Sequence, residues 1–314
     1  MGMRITNSMM LRTSLADVHR QRLRLAEIQE KASSGLAVNR PSDDPVAASA
    51  ALLLRAGIDA TQQYQRNVTQ ARNRVAVLES AVASSVDLLI DAKEVADAGS
   101  TEVDASTRLI LAAEVEALHE RLVSEANTRS SQSYVFGGFA TDAAPFVTSG
   151  PFVPAGPSPT TSFVGDSNEV LTPIDDGISV ETTLDGRRIF MGDGDGDGSP
   201  DANREDLFVL LTDLRDALVA DDQAAVQATR SRFEVALGQL NLERTHIGTS
   251  DAKLAEWENR LAERDLQLQG RLSDAQDADV AEVFSDLVNQ ENALRATLDI
   301  TTRVLQPTLL DFLG

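Results

Sequence analysis

The sequence predicts a mostly α-helical chain, an elongated antiparallel coiled-coil or bundle rod built from both chain termini, with a small β-rich outer domain inserted between them. Three observations predict it. Ala, Leu, Val, Glu, Arg and Gln fill most of the 314 residues, while only 4% are aromatic, with one Trp and two Tyr. That composition favours long helices over a thick core of rings. Apolar residues recur at alternating spacings of three and four on both sides of the middle of the chain, the mark of helices that pack on one another. Between Tyr134 and about Pro200 the period stops, and prolines, glycines and short β-branched runs take its place, as strands and turns require.

In order, Leu11, Leu15, Val18 and Leu25 form a narrow apolar stripe whose missing position holds Arg22, so the first helix needs a partner. Ser33-Ser34-Gly35 ends it, and Asn39 to Pro45 follows as an extended break. Asp44 is placed to cap the next helix, with Pro45 at the first helical position. Val68, Ala71, Val75, Leu78, Val82, Leu89 and Ala96 then make a coiled-coil seam in which Ser85 and Ala92 are weak members. Gly99-Ser100 interrupts it, and Leu111, Val115, Leu118 and Leu122 resume it on a helix able to fold back. In the insert, Ser179 to Thr183 reads as strand, and Asp185-Gly186 as a hairpin turn leading into Arg187 to Phe190. One helical pattern then runs from Leu207, Leu210, Leu211, Leu214 and Leu218 through Phe233, Leu237, Leu240, Leu254, Trp257 and Leu261 to Leu268 and Leu272. Ser273 to Asp277 reads as a joint, Asp279 with Glu282 as a capping box. The last seam is Val280, Phe284, Leu287, Leu294, Leu298 and Leu305, broken by Glu291 and Thr301 and ended by Pro307.

These elements divide the chain into a terminal helical coiled-coil domain (1–35 plus 275–314), a helical rod domain (36–133 plus 203–274) and the β-rich insert (134–202). The two ends each carry a stripe with no nearby partner, and pairing them satisfies both. Two helices bury too little apolar surface for a firm core at ~25 cal/mol per Å². The expectation is marginal stability in the monomer and order gained on assembly. The subunit interface then falls on Leu11, Leu15, Val18 and Leu25 at one end and Val280, Phe284, Leu287, Leu294, Leu298 and Leu305 at the other.

The formal charge of −21 and pI near 4.5 oppose a nucleic-acid role, because phosphate is repelled. The densest basic run, Arg20, Arg22 and Arg24, is flanked by Asp17, Glu27 and Glu30 and reads as a solvated helix face. Cysteine is absent, which excludes disulfides and thiolate chemistry. No cleavable signal sequence and no membrane span is evident. His19, His119 and His246 each sit alone in a helical pattern and read as surface residues. With no nucleophile elbow, phosphate loop or dinucleotide fingerprint, no catalytic residue and no enzyme activity is expected. Asp193, Asp195 and Asp197, alternating with glycines, imitate the first half of a calcium loop, but Arg204 stands at the twelfth position where a Glu is expected. Two readings stay open there, a solvated acidic turn and a weak calcium site of the ~millimolar extracellular kind.

Three stretches carry a resemblance: Met3-Arg4-Ile5-Thr6-Asn7-Ser8-Met9, Ser33 to Pro45 with its Arg-Pro-Ser-Asp-Asp-Pro, and Leu305-Gln306-Pro307-Thr308-Leu309-Leu310-Asp311-Phe312-Leu313. Together they resemble the flagellin superfamily. Pro45, where flagellins run on into Ala-Gly, and Tyr134-Val135-Phe136-Gly137-Gly138-Phe139 with Pro145-Phe146 resemble its hook-filament junction members more than its filament members. The resemblance implies a secreted structural axial protein of the bacterial flagellum, homo-oligomeric, located outside the cell. It implies flagellin and the other junction hook-associated protein as neighbours. It also implies type III export through the flagellar apparatus, aided by a cytoplasmic chaperone on the C-terminal region. Filament-forming flagellin is the near alternative, and a calcium-dependent extracellular binding module the distant one.

Overall fold

The computed structural model describes residues 7–101, 104–153 and 156–310, with the side chains of 7, 8, 10, 11 and 303–310 outside the description. Its helices are α1 (Asn7–Ser34), α2 (Pro45–Gly99), α3 (Ala105–Ala126), α4 (Leu207–Val219), α5 (Gln223–Gln276) and α6 (Val280–Leu310). Every helix after the first opens on an aspartate. Asp44 accepts from the N–H groups of Val46 and Ala47, and Asp104 from that of Thr107. Asp206 accepts from Phe208 and Val209, Asp222 from Ala225, and Asp279 from Ala281 and Glu282. Each carboxylate satisfies amide donors that the first turn leaves without a helical partner. Gly35, at φ +72°, closes α1 and donates its N–H to the Lys31 carbonyl.

The chain divides into two compact units, Met1–Ala60 with Glu263–Gly314, and Thr61–Ala262. In the first, α1 and α6 pack against each other. The chain between α1 and α2 is tied to the end of α5: Ala37 N–H donates to the Gln276 carbonyl at 2.8 Å, and Ala278 N–H to the Gly35 carbonyl at 2.9 Å. Leu36 and Asp277 form an antiparallel bridge. Gln276 is buried, accepting from Arg55 and donating to the Val38 carbonyl.

The hydrophobic core belongs to the second unit. Val68, Ala71, Val75, Leu78, Val82, Leu89 and Ala96 are buried along α2, together with Ser85 and Ala92. The same cluster takes in Val115, Leu118 and Leu122 of α3, Leu207, Leu210, Leu211, Leu214 and Leu218 of α4, and Phe233, Leu240, Leu254 and Leu261 of α5. Helices α2 and α5 run antiparallel, as their ion pairs record: Asp97 with Arg230, Lys93 with Glu234, Glu79 with Arg244 and Arg72 with Asp251 and Glu258.

Six short strands form three two-stranded antiparallel sheets: β1 (Arg129–Ser130) with β2 (Ser133–Tyr134), β3 (Phe146–Thr148) with β4 (Thr161–Phe163), and β5 (Leu171–Asp175) with β6 (Ile178–Glu181). Such small sheets cannot stabilise themselves. What holds them is a knot of rings. Phe146 lies 5.2 Å from Phe163, 5.4 Å from Phe190 and 5.3 Å from Phe208, and Phe136 lies 5.0 Å from Phe190. The low aromatic content is therefore concentrated at one place rather than absent from the core.

Several expectations need correction. The hairpin turns at Asp176-Gly177, one strand earlier than Asp185-Gly186. Arg187–Met191 is instead a π-helical turn that buries both Ile189 and Phe190, which a strand would send to opposite faces. The pattern from Leu207 to Leu272 is broken at Ala220-Asp221-Asp222, where Asp221 takes φ +57°. The joint before α6 is Asp277 to Asp279, three residues, and α6 continues past Pro307 to Leu310. Finally, His119 is buried, 1% exposed, between Phe152 and Phe208 at 5.2 and 5.8 Å.

Candidate assembly surface of the terminal helices

The shielded positions include, on α6, Val283, Leu287, Gln290, Leu294, Thr297 and Thr301, and on α1 Ser14, Val18, Gln21, Leu25, Ile28 and Ala32. Both sets step by four and three alternately, so each is one face of a helix. The faces meet at their middle through Gln290, whose amide donates to the Gln21 carbonyl at 3.2 Å and also bonds the Gln21 side chain. Half of this seam is polar or small. Among its described residues only Thr301 is fully buried, and no aliphatic side chain of α1 or α6 is.

The structure thus sorts the predicted interface residues into three sets. Val18, Leu25, Leu287 and Leu294 lie half-buried on the pairing seam. Leu15, Val280, Phe284 and Leu298 lie outside it, exposed, Val280 by 58% and Phe284 by 52%. Leu11 and Leu305 have side chains outside the described residues. Reading the last seam as one stripe was therefore an error of register. Val280, Phe284 and Leu298 belong with Val288, 56% exposed, to a second stripe about 100° around the helix. The seam residues missed, Val283, Gln290, Thr297 and Thr301, have the correct spacing but are partly polar, so a search for apolar residues passes over them. The start of α2 adds Val46, Leu52 and Leu53, also exposed. Exposed apolar side chains in this number point to contact with another molecule.

The other candidate is the Asp-Gly loop. The ligand atoms of Asp193, Asp195 and Asp197 all lie within 4.8 Å of one another. Asp193 is buried and already accepts from the N–H groups of Gly196 and Gly198, with the Arg187 guanidinium 3.9 Å away. Asp195 and Asp197 are exposed. A cation would have to compete with these donors for Asp193, which weakens any site here. The loop is anchored by Glu243, a buried carboxylate on α5 that receives Arg188 at 2.9 Å and Arg204 at 3.0 Å. Arg204, which spoils the calcium pattern, is thus a structural anchor.

Residues 5–141 match the bacterial flagellin N-terminal helical region. Over 94% of its length the chain is 26% identical to the flagellar hook-associated protein 3 of Salmonella typhimurium, covering 95% of that protein, and it matches that of Escherichia coli to the same extent. The N-terminal part of the chain is thus similar to flagellin, and the chain as a whole to hook-associated protein 3. Two solved structures share the fold of this chain. One is a flagellar hook-associated protein of Vibrio parahaemolyticus, with TM-score 0.63 and 19% identity over 75% of this chain and 100% of that one. The other is Bacillus cereus FlgL, with TM-score 0.56 and 17% identity over 70% of this chain and 99% of that one.

The Arg-Pro-Ser-Asp-Asp-Pro and Gly-Gly-Phe segments have visible local roles. Arg40 reaches both Glu30 oxygens at 3.0 and 2.9 Å, and Asp43 accepts from the N–H groups of Asn39 and Arg40. The Arg40 amide foremost holds the Asp43 carboxyl below its ordinary value. In the Gly137-Gly138-Phe139 turn, Gly138 adopts φ +65°, and Asp166 accepts from Phe139 and Ala140. A Cβ on Gly138 would strike the Asp166 carbonyl, so the turn demands glycine twice over.

Proposed function

We propose that the chain is a structural axial protein of the bacterial flagellum, the adaptor at the hook-filament junction between the other junction hook-associated protein and flagellin. One observation carries this reading furthest: the chain brings its two ends together in α1 and α6 without burying a single aliphatic side chain among their described residues. A pair built that way completes its core with the same pair in neighbouring copies. Leu15, Val280, Phe284, Val288 and Leu298 are the groups left over for that purpose, and Leu11 and Leu305 belong to the same interface. The function is then assembly, with no catalytic step and no cofactor. Export unfolded through the flagellar type III apparatus, with a chaperone on the C-terminal region, suits a chain without cysteine, since nothing crosslinks it in transit.

A deletion strain tests the reading. A mutant that keeps its hooks and sheds flagellin into the medium supports the adaptor. If flagellin protein itself disappears, the chain is filament flagellin and the adaptor reading falls. A calcium-dependent module, the third possibility, rests on Asp193, Asp195 and Asp197 alone. Calcium at ~millimolar concentration that changes neither heat nor Tm removes it.

A further inference from the structure

The second unit is rich in arginine-carboxylate pairs, and one arginine breaks the rule. Arg72, Arg108, Arg187, Arg188, Arg204, Arg215, Arg232 and Arg244 are each half-buried or buried, and each has a carboxylate within 4.0 Å. Arg74 on α2 is also half-buried, yet among the described residues no carboxylate reaches it. One of its NH₂ groups donates to the Tyr134 carbonyl at 3.3 Å, and its Nε is buried without any partner. Burial pushes its pKa down, as it must for a guanidinium with no counter-charge.

Beside it stands a second unpaired cation. Arg129 lies over the Tyr134 ring with its Cζ 5.0 Å from the centroid, and donates only to the Gln132 carbonyl. Arg66, two turns before Arg74 on α2, bonds the Gln63 side chain and likewise meets no carboxylate. In a chain carrying 49 acidic residues against 28 basic, Arg74 and Arg129, both against Tyr134 and without a carboxylate among the described residues, form a local positive patch. A half-buried arginine in this state is costly unless its counter-charge arrives from outside.

A close group of carboxylates stands on the Asp-Gly loop, where the ligand atoms of Asp193, Asp195 and Asp197 lie within 4.8 Å of one another. Asp195 and Asp197 are exposed, accept only from the N–H groups of Asp197 and Ser199, and have no cation within 4.0 Å. The Arg188–Glu243–Arg204 bridge holds that loop to α5, so it is presented outward on a fixed base.

We infer that Arg74 and Arg129, on either side of Tyr134, receive Asp195 and Asp197 from a neighbouring copy of this chain. The inference rests on the axial reading, because it needs identical copies side by side. The contact is head-to-tail, one patch against a different patch, so it propagates around a ring rather than closing a two-fold dimer. Tyr134 sets the spacing of the two guanidinia, and each carboxylate replaces water on one of them.

The absence of cysteine makes the test direct. The full chain carrying Gln132→Cys and Ser199→Cys, two substitutions that leave Asp195 and Asp197 in place, assembled into flagella and oxidised, is expected to yield disulfide-linked multimers, while either substitution alone yields monomer. In a second arm, Arg74→Glu with Arg129→Glu is expected to lower the amount of chain retained on the flagellum by at least about tenfold. Adding Asp195→Arg and Asp197→Arg to that variant is expected to restore it. The milder Arg74→Gln, with an unchanged Tm, guards against mere misfolding. Chain present on the flagellum but never crosslinked overturns the inference and leaves the adaptor reading intact. Chain absent from the flagellum altogether overturns both.

Discussion

His119 is the residue whose environment departs furthest from its sequence signal. Buried against Phe152 and Phe208 with only the Thr161 hydroxyl, 3.4 Å away, as a polar neighbour, it is held neutral, and burial lowers its pKa from 6.5 to about 4. Its stabilising effect is therefore complete above pH 6.5. Below that the unfolded chain takes up a proton that the folded chain refuses, and up to about 3 kcal/mol is lost as the pH falls toward 4. Asp206 works in the opposite sense: burial pushes it up to about 6, so its contribution is present at low pH and is lost as the pH rises through that window. The two slopes oppose one another. His119→Leu should therefore shift the pH dependence of Tm between 6.5 and 4 toward greater acid stability, and a variant that loses Tm on acidification as steeply as the parent would show that His119 does not titrate this way. A lone histidine on a helical period carries no sign of burial, because that depends on rings 33 and 89 residues further along the chain. The caps at Asp44 and Asp279 are legible by contrast, since capping is settled within three residues, whereas those at Asp104, Asp206 and Asp222 go unread. Asp279→Ala should lower the stability of α6 by ~1 kcal/mol, seen as earlier loss of helical signal on heating.

At the scale of elements, the apolar pattern misleads where two periodicities compete on one helix. The buried seam of α2 was readable residue by residue because nearly all its members are aliphatic. On α6 the aliphatic residues are divided between a shielded face holding Leu287 and Leu294 and an exposed face holding Val280, Phe284, Val288 and Leu298, and nothing local says which face meets α1. The polar partners settle it, Gln290 against Gln21. Two substitutions separate the faces. Phe284→Ser removes a half-exposed ring and should change monomer stability by no more than about 0.5 kcal/mol, while reducing incorporation into flagella. Leu287→Ala should cost about 2 kcal/mol or less, because the site is only half-buried, and should weaken the monomer's α1–α6 pair directly. Equal effects of both on the monomer, by circular dichroism melting, would mean the faces are wrongly assigned. The misplaced hairpin has a related cause. Asp176-Gly177 and Asp185-Gly186 are equivalent as local turn signals, and only the ring cluster that draws in both Ile189 and Phe190 distinguishes them.

For the whole molecule, the decisive asymmetry is in where apolar surface is buried. Among the described residues the first unit contributes Ala51 alone to the buried aliphatic set, whereas the second contributes its entire aromatic knot and the seams of α2 to α5. Stability in a chain so divided is not uniform: regions with few buried contacts open at low free energy while the core opens only on global unfolding. In the isolated monomer, amide hydrogens of α1 and α6 should exchange at rates close to those of unfolded chain, and those flanking Leu89, Leu122 and Phe233 should exchange slowest. In assembled flagella the terminal helices should gain the protection that the monomer lacks, because neighbours supply the missing burial for Phe284, Val288 and Leu15. Hydrogen exchange followed by mass spectrometry on both states measures this difference. Terminal helices already protected in the monomer to the level of the core would show that the pair is a finished domain, and the case for an interface completed by assembly would fail with it.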